Sequence, residues 1–445
     1  MTMDLKDMFL MTPMADHEYM KCQYRYFPAD IIKRYNLDAL VHNNFIYIKI
    51  KKGLFGLKQA AILAYHLLSK ILTTNGYKPI IGSLGMWKHS TRNILFNLCV
   101  DDFGVKYFDK KDVQHLITAI ESKYTVKTDW TGRNFLGFSI DWQYDKGHVN
   151  LTMPKYIPNL LQKLQHRNPN TPQYSPHEYI PIKYSVKGDR QYMQQPDKSA
   201  LLTNEDTKWV QSAIGSLLYY GRALDNTILP ALNQLGTEQA LPTSTTKKKL
   251  YRLLDYVATY PNAQLRFYAS DMLLAIDSDA AYLVMPKARS RLAGYFRLLD
   301  RNRTYKHNGA ILIECRTIRN VVSSAAEAET HGVFNNAKTG VSIRHLLHEM
   351  GHLQPPTIIA TDNSTTAGFA NNNIQLKRSK SWDMNLHWLR NREHRKQFRI
   401  EWQKGSGNTA DYHTKHHSTT HHRQMRSKYI RDVVCAVFTT VHRAL

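Results

Sequence analysis

The sequence predicts an α+β or α/β fold divided into more than one domain. Its 445 residues suffice for two or three domains with sizeable cores. Strand-like alternation and helix-like spacing of apolar residues both recur along the chain. Between residues 165 and 205 the composition shifts to Pro, Gln, Asn, Tyr and charge, which indicates a linker or an extended connection. A mixed architecture with an internal boundary follows.

The first predicted region, residues 1–165, alternates helices and strands. Helical spacing follows the turn LFG, at Leu57, Ala60, Ala61, Ala64 and Leu68. The apolar run ILFNLCV and the run FGVKYF flank the pair Asp101-Asp102, which predicts a hairpin. NFLGFSIDW and HVNLTM read as a second strand pair. A helix is expected after Pro154, with one apolar face formed by Ile157, Leu160, Leu161 and Leu164.

The rest of the chain divides into a connection at 166–270, an α/β region at 271–425 and a tail at 426–445. The connection contains a helix, with apolar residues at Leu250, Leu253, Leu254 and Val257, and the run LLYYGRALD, where Tyr219, Tyr220 and Arg222 are expected to pack. The α/β region opens with the strand-like MLLAIDSDAAYLV. A helix is expected to begin at Ser324.

The charge balance points to a polyanionic partner. The formal net charge is +24 and the isoelectric point about 9.7, which favours nucleic acid over a merely basic solvated surface. The four cysteines, Cys22, Cys99, Cys315 and Cys435, form no C-x-x-C pair, so neither a zinc ribbon nor a disulfide framework is indicated. No signal peptide or apolar run of about 18 residues is found, so an intracellular, non-membrane protein is expected.

The pair Asp101-Asp102 has the chemistry of a metal site. Phosphoryl transfer commonly uses two divalent cations about 4 Å apart, and such cations prefer carboxylate oxygens. A tight hairpin presents neighbouring carboxylates at its tip, and Asp4, just ahead of an apolar stretch, is the candidate for a third. The alternative is an ordinary polar turn, which is the usual role of an isolated Asp-Asp pair.

The order G-L-F-G-L-K-Q-A, V-D-D, F-L-G-F-S-I resembles the reverse transcriptase of copia-type retrotransposons. The resemblance implies that Asp4, Asp101 and Asp102 hold metal ions and that Gln59 lies near the incoming nucleotide. It further implies that the segment around Gly137 grips the primer and that Lys127 assists the leaving pyrophosphate. The chain departs from the family in having Cys99 before Val100, and its start near Asp4 suggests that the upstream fingers are missing, so little or no primer extension is expected.

Four acids stand out in the region 271–425: Asp279, Glu329, Asp362 and Asp411. They are expected at a strand, a helix, a strand end and a following loop, from which they could converge on two metal ions. The alternative is that each is a helix cap or a surface charge, since Ser324 and Glu327 resemble a capping box. Asp277 competes with Asp279 for the strand position.

The motifs S-D-A-A-Y, S-S-x-x-E-A-E, T-D-N-S and A-D-x-x-T-K resemble the RNase H domain of copia-type elements. This resemblance implies that Asp279, Glu329, Asp362 and Asp411 are the metal-binding acids and selects Asp279 over Asp277 and Glu329 over Glu327. Basic residues that fit a duplex track, or alternatively a solvated face, are Lys287, Arg289, Arg291, Lys377, Arg378 and Lys380.

The two resemblances together imply the reverse transcriptase and RNase H portion of a retrotransposon polyprotein, in a cytoplasmic particle or the nucleus. Mg²⁺ or Mn²⁺ is the expected cofactor. Expected partners are an RNA template, a DNA primer, their hybrid, dNTPs and the upstream polyprotein. Alternatives are an inactive remnant that only binds nucleic acid and, less consistent with Asp411 and the palm motifs, a D-D-E transposase. The His-rich run HTKHHSTTHHR could bind zinc or nickel adventitiously.

Overall fold

A computed structural model describes residues 1–179, 181, 197–302, 307–371 and 383–432. The chain divides into two compact units, one ending at Leu136 and the other beginning at Gly137. The domain boundaries expected at residues 165, 270 and 425 stay predictions. No helix in the described ranges is both long and apolar enough to span a membrane.

The first unit is a six-stranded antiparallel sheet with helices on one side and a separate two-stranded hairpin. Its elements are β1 (Thr2–Lys6), β2 (Pro13–Gln23), α1 (Ala29–Tyr35), β3 (Phe45–Lys52), α2 (Lys58–Thr74), β4 (Tyr77–Ile80), β5 (Ser83–His89), β6 (Ile94–Cys99), β7 (Asp102–Tyr107), α3 (Lys110–Glu121), β8 (Thr125–Asp129) and β9 (Asn134–Phe135). The strand order in the large sheet is β4-β5-β6-β7-β1-β8, while β2 pairs with β3.

Helices α2 and α3 cover the inner face of this sheet. The predicted helix at Leu57–Leu68 is present as α2, which buries Ala60, Ala64 and Leu68. Two details of the prediction were wrong: Leu57 is the residue before the helix, and Ala61 is exposed. Strand alternation sends Met3, Leu5, Phe103 and Val105 into the same core, so their polar neighbours in β1 and β7 lie on the opposite face. Asp4 and Asp102 are the two acids on that face.

The second unit contains a helical cluster and two sheets. Its elements are β10 (Phe138–Gln143), β11 (His148–Thr152), α4 (Tyr156–Lys163), α5 (Asn204–Ala223), α6 (Leu229–Glu238), α7 (Ser244–Thr259), β12 (Ala263–Tyr268), β13 (Leu273–Met285), β14 (Arg289–Leu299), β15 (Ala310–Thr317), α8 (Ala325–Glu349), β16 (Thr357–Thr361), α9 (Ser364–Ala370), α10 (Asp383–His394), β17 (Phe398–Trp402), α11 (Thr419–Tyr429) and β18 (Arg431–Asp432). Strands β18, β12, β11 and β10 pair antiparallel in that order.

The helical cluster confirms two periodicity predictions. Helix α4 buries Ile157, Leu160 and Leu161, and α7 buries its four predicted residues completely. Tyr220 on α5 is also fully buried, and Tyr219, although 44% exposed, packs its ring against that of Tyr156 with centroids 5.8 Å apart. Residues 165–179 and 197–203 form neither helix nor strand, although His177 and Ser175 are buried.

The last sheet has the strand order β15-β14-β13-β16-β17. The three strands β13, β14 and β15 are antiparallel, and β16 and β17 run parallel to β13. Numbered within the domain, this is the order 3-2-1-4-5 of an RNase H-like sheet. Helix α8 packs closely on it, since a Cβ added at Gly340 would lie 2.8 Å from the Cδ1 of Ile276. The predicted mixed fold is therefore confirmed.

Candidate active site

Asp279 lies in the middle of β13, the central strand of this sheet. The strand is covered on both faces, and the Asp279 side chain is only 2% exposed. The Thr414 hydroxyl donates a hydrogen bond of 2.5 Å to its Oδ2. Burial, reinforced by the negative charge of Asp411, raises the Asp279 pKa to about 7. The carboxylate is thus held where its own charge is unfavourable unless a cation is near.

Glu329 reaches the same place from the first turns of α8. Ser324 caps this helix by accepting from the Glu327 N–H, and the Glu327 carboxylate accepts from the Ser323 N–H and hydroxyl, each at 2.7 Å. Glu327 is therefore occupied at the helix start. Two residues later, Glu329 points to the sheet, where its Oε1 accepts from the Ala280 N–H at 3.2 Å.

The second oxygen of Glu329 is a buried acceptor without a donor. Its Oε2 is enclosed and has no hydrogen-bond partner among the described residues. Burial first, and then the charges of Asp279 and Asp362, raise the Glu329 pKa well above its usual range. An unsatisfied carboxylate oxygen at this depth is costly unless a ligand takes it.

Asp362 follows the last residue of β16, at the carboxyl end of a parallel strand. The indole of Trp402 donates to its main-chain oxygen at 2.9 Å, which fixes the backbone at the strand end. A Cβ added at Gly405 would lie 2.8 Å from the Asp362 Oδ2, so glycine there makes room for the carboxylate. Burial and the Asp411 charge raise the Asp362 pKa.

These three acids form a compact ligand set. One carboxylate oxygen from each of Asp279, Glu329 and Asp362 lies within 4.8 Å of the other two, and no other group of three potential ligands does so in the described ranges. Carboxylate oxygens are the ligands that hard divalent cations prefer. The unsatisfied Glu329 oxygen and the raised pKa values fit a bound cation, so this cluster is suited to hold a divalent metal ion.

Asp411 stands beside the cluster. It begins a 3₁₀ turn at Asp411–His413, and its carboxylate accepts from the Lys415 ammonium at 2.5 Å. Its charge reaches both Asp279 and Asp362, since it contributes to the raised pKa of each. The structure therefore places all four predicted acids together, three as a set and Asp411 as a lysine-paired neighbour.

Asp277, the competitor of Asp279, has a different environment. Its carboxylate pairs with the Arg297 guanidinium at 2.8 and 3.2 Å and also accepts from the Thr409 N–H and hydroxyl. These donors satisfy both oxygens and neutralise the charge. The geometry thus assigns Asp277 to a buried ion pair and leaves Asp279 to the acidic cluster.

The N-terminal acids meet on the outer face of the first unit's sheet. Asp4 on β1 is directly opposite Asp102 on β7. The turn of the β6–β7 hairpin consists of Val100 and Asp101, and Val100 has a φ of +60°. Asp102 is therefore the first residue of a strand, not part of the tip as expected. Burial, then the charges of Asp101 and Asp4, raises the Asp102 pKa, but these three carboxylates do not approach within 4.8 Å as a set.

The other predicted palm residues lie in different surroundings. Lys127 is exposed on β8 and directly opposite Asp4, so a lysine, Asp4 and Asp102 form one cross-strand row. The Gln59 amide instead donates to the Asp16 carbonyl at 3.1 Å and the Glu18 carboxylate at 2.9 Å, which ties it to β2. Gly137 has a φ of +80° and begins the second unit.

The proposed basic track is only partly available on the surface. Arg291 was wrongly expected there: it is 2% exposed and donates to the Asn233 side-chain oxygen at 3.0 Å and to the Met285 sulfur at 2.9 Å. Lys287 is exposed and Arg289 is half-buried. Lys377, Arg378 and Lys380 lie outside the described residues.

The His-rich run was expected to be a tail but is largely part of the core. His413, His417 and His422 are buried, and the His422 ring bonds to the hydroxyls of Tyr412 and Tyr256 at 2.6 and 2.8 Å. Burial lowers the His422 pKa to about 3, so the ring is neutral at physiological pH. These bonds assign the histidines to packing, and no metal-binding group forms from them in the described part of the chain.

Two residues of the site escaped the sequence reasoning. Thr414 bonds to Asp279, and Lys415 pairs with Asp411. Both belong to the quoted motif A-D-x-x-T-K, of which only the acid was given a role. The signal was therefore present in the motif.

The N-terminal part of the chain matches a known protein family. Residues 3–179 match the family model described as reverse transcriptase (RNA-dependent DNA polymerase). The chain is also 23% identical over 347 residues to the retrovirus-related Pol polyprotein from transposon TNT 1-94 of Nicotiana tabacum, covering 77% of this chain and 25% of that protein. The chain is thus similar to a retrotransposon Pol polyprotein over most of its length.

Two further retrotransposon polyproteins are similar to this chain. The Pol polyprotein from transposon RE1 of Arabidopsis thaliana is 24% identical over 96% of this chain and 27% of its own length. The Ty1-DR1 Gag-Pol polyprotein of Saccharomyces cerevisiae is 24% identical over 68% of this chain and 17% of its own length. The resemblance expected from the motifs is confirmed, and the chain spans about a quarter of the first two of these polyproteins.

Solved structures show a more distant likeness. The foamy viral protease-reverse transcriptase in complex with RNA/DNA hybrid has 12% identity over 91% of this chain and 44% of that chain, with a TM-score of 0.46. The N-terminal RNase H domain of rv2228c from Mycobacterium tuberculosis has 12% identity over 35% of this chain and 97% of that chain, with a TM-score of 0.24. The strand order and senses described above define the fold of the C-terminal sheet independently of these superpositions.

Proposed function

We propose that the second unit cleaves the RNA strand of an RNA–DNA hybrid and that the first unit contributes the palm of an RNA-directed DNA polymerase. The observation that carries the cleavage proposal is the convergence of Asp279, Glu329 and Asp362 within 4.8 Å on an RNase H-like sheet. The Pol polyprotein relatives support it further.

Mg²⁺, or Mn²⁺, is the proposed cofactor of the acidic cluster. The oxygens of Asp279, Glu329 and Asp362 would hold it, with Asp411 beside them. When bound, such an ion supplies charge stabilisation at a phosphodiester and a lowered pKa for a bound water. The chain's own residues orient this set: Ala280 N–H and the Thr414 hydroxyl fix two carboxylates, and Gly405 leaves space for the third.

The cleavage proposal is tested with the purified chain and a labelled hybrid in Mg²⁺. The parent is expected to shorten the RNA strand, and Asp362→Asn is expected to lose most of that activity. Asp145→Asn, which removes an exposed carboxylate elsewhere in the second unit, is the matched control and should cleave like the parent. Equal cleavage by Asp362→Asn, or hybrid binding without cleavage by the parent, would overturn the proposal in favour of an inactive nucleic-acid-binding remnant.

The polymerase proposal is supported by the family match over residues 3–179 and by the row of Asp102, Asp4 and Lys127. Its proposed partners are an RNA template, a DNA primer and dNTPs. Primer extension on an RNA template tests it, with Asp102→Asn expected to abolish any extension and the exposed Asp30→Asn expected to leave it unchanged. Extension that survives Asp102→Asn would contradict the assignment of the palm acids.

A further inference from the structure

A cavity of about 410 Å³ lies in the second unit. Helices α6 and α7 and the β13–β14 hairpin form its walls, and residues 176–178 form another side. Ala231, Leu235, Leu283 and Val284 give it an apolar wall. None of the seven predicted metal-binding acids lines it. Its size falls in the range of small-molecule sites, about 300–1,000 Å³.

Arg291 brings a buried cation to this cavity. Its side chain is 2% exposed, and its hydrogen-bond acceptors are neutral: the Asn233 side-chain oxygen, the Met285 sulfur and the Thr414 carbonyl at 3.5 Å. No carboxylate in the described ranges pairs with it. Burial accordingly lowers the Arg291 pKa. A buried guanidinium without an anionic partner is a costly arrangement that an anion would relieve.

Two further side chains at the cavity have nitrogens without partners. His177 is 5% exposed, and neither of its ring nitrogens is hydrogen-bonded within the described part of the chain. The Nε of Arg252 on α7 is likewise buried without an acceptor among the described residues. Lys249 is different, because it is already paired with Glu238 at 2.6 Å. Two side chains with unsatisfied nitrogens, His177 and Arg252, thus line the same cavity as the buried Arg291.

The organic part of a ligand has a matching surface. The His177 ring stacks on that of His416, with centroids 4.1 Å apart and planes 9° from parallel, next to the apolar wall. The guanidinium group of arginine binds two phosphate oxygens at once through its paired N–H donors. Glu178, on the exposed rim, is the acid among the lining residues.

From these observations we infer that this cavity is a binding site for a phosphate-bearing small molecule of mononucleotide size. The phosphate lies against Arg291, Arg252 and His177, where it supplies an anion to the Arg291 guanidinium and acceptors to the unpartnered nitrogens of the other two. The planar organic group lies along Ala231, Leu235 and the His177–His416 stack. The site is separate from the metal-binding acids and does not depend on the proposed function.

The test is calorimetric titration of the full chain with AMP, adenosine and inorganic phosphate, all in EDTA so that divalent metal sites are empty. AMP is expected to bind at least about tenfold more tightly than adenosine, with phosphate alone binding more weakly than AMP. Arg252→Gln and His177→Gln should each weaken AMP binding at least about tenfold. Arg167→Gln, an exposed arginine of the same unit, should not change it.

Folding and location are checked in the same series. Thermal melts of the variants establish that they fold, and Arg252 is the more informative position because it is only half-buried. AMP binding that persists in Asp279→Asn places the ligand outside the acidic cluster, as inferred. Adenosine binding as tightly as AMP, an Arg252→Gln affinity equal to that of the parent, absence of AMP binding, or its loss in Asp279→Asn would each overturn the inference.

Discussion

Replacing Asp279 by Asn is expected to stabilise the metal-free protein while removing its chemistry. The folded-state pKa of Asp279 is raised from 3.8 to about 7, chiefly by burial. A carboxyl whose pKa is raised on folding binds its proton more tightly in the folded state. The contribution of Asp279 to stability is therefore fully present below about pH 4 and is lost as the pH rises to about 7. Because Asn carries no charge, the Asp279→Asn variant does not lose stability in this way as the pH rises.

The magnitude follows from the same pKa difference. A difference of about three pKa units, at about 1.4 kcal/mol for each, sets an upper bound of roughly 4 kcal/mol. Relaxation around the charged form reduces the bound, and the Asn oxygen can still accept from Thr414. Loss of the Asp279 charge also removes one of the repulsions that raise the Glu329 pKa. The expected gain is about 1–3 kcal/mol at about pH 8 in EDTA, or about 2–4 °C in Tm for each kcal/mol.

Urea and thermal unfolding at about pH 4 and about pH 8, in EDTA and in Mg²⁺, measure this effect. The advantage of Asp279→Asn should be largest at the higher pH in EDTA and small at the lower pH. Mg²⁺ should stabilise the parent but not the variant. Asp277→Asn is the matched control on the same strand, and because it breaks the buried pair with Arg297, it should destabilise by about 3–5 kcal/mol. An Asp279→Asn advantage that is absent at about pH 8, or equally large at about pH 4, would refute the reasoning.

Three further substitutions test the packing around the two sites. Gly405→Ala should lower hybrid cleavage up to about 100-fold with little change in Tm, because its Cβ would meet the Asp362 carboxylate 2.8 Å away; unchanged kinetics would contradict this. Gly294→Ala should destabilise by about 1–3 kcal/mol in urea unfolding, because its Cβ would overlap the side-chain oxygen of Asn336. Val100→Asn should stabilise by about 1 kcal/mol in thermal melts, since Asn tolerates the φ of +60° better and the Val side chain is exposed; a lower Tm would count against strain at the hairpin.

Periodicity predicted the elements well because burial imposes it. Helix α7 was recognisable because Leu250, Leu253, Leu254 and Val257 all face one core. The same rule misled at Ala61, since alanine is compatible with an exposed helix face as well as a buried one. A large apolar residue such as leucine therefore predicts burial more reliably than a small one such as alanine.

The prediction that the His-rich run is a tail was wrong for a related reason. The composition of the run HTKHHSTTHHR is polar, and polar runs are usually solvated. Burial of His422 depends on hydroxyl partners from Tyr256 and Tyr412, one of them 166 residues away in the sequence. Arg291 was misplaced in the same way, because its neutral partners come from distant segments. Long-range polar partners of this kind leave no local pattern.

The two acid groups differ in how far the fold has prepared them for a metal ion. Asp279, Glu329 and Asp362 come from a strand, a helix and a strand end, each fixed by backbone or side-chain hydrogen bonds. Asp4 and Asp102 are opposed on neighbouring strands, but Asp101 lies in a turn and the three do not converge. Where carboxylates converge without a cation, folding has already brought them together against their mutual repulsion, and a cation that binds there removes that repulsion. Metal binding should therefore stabilise the second unit more than the first, and the C-terminal acids are the stronger basis for assigning chemistry to this chain.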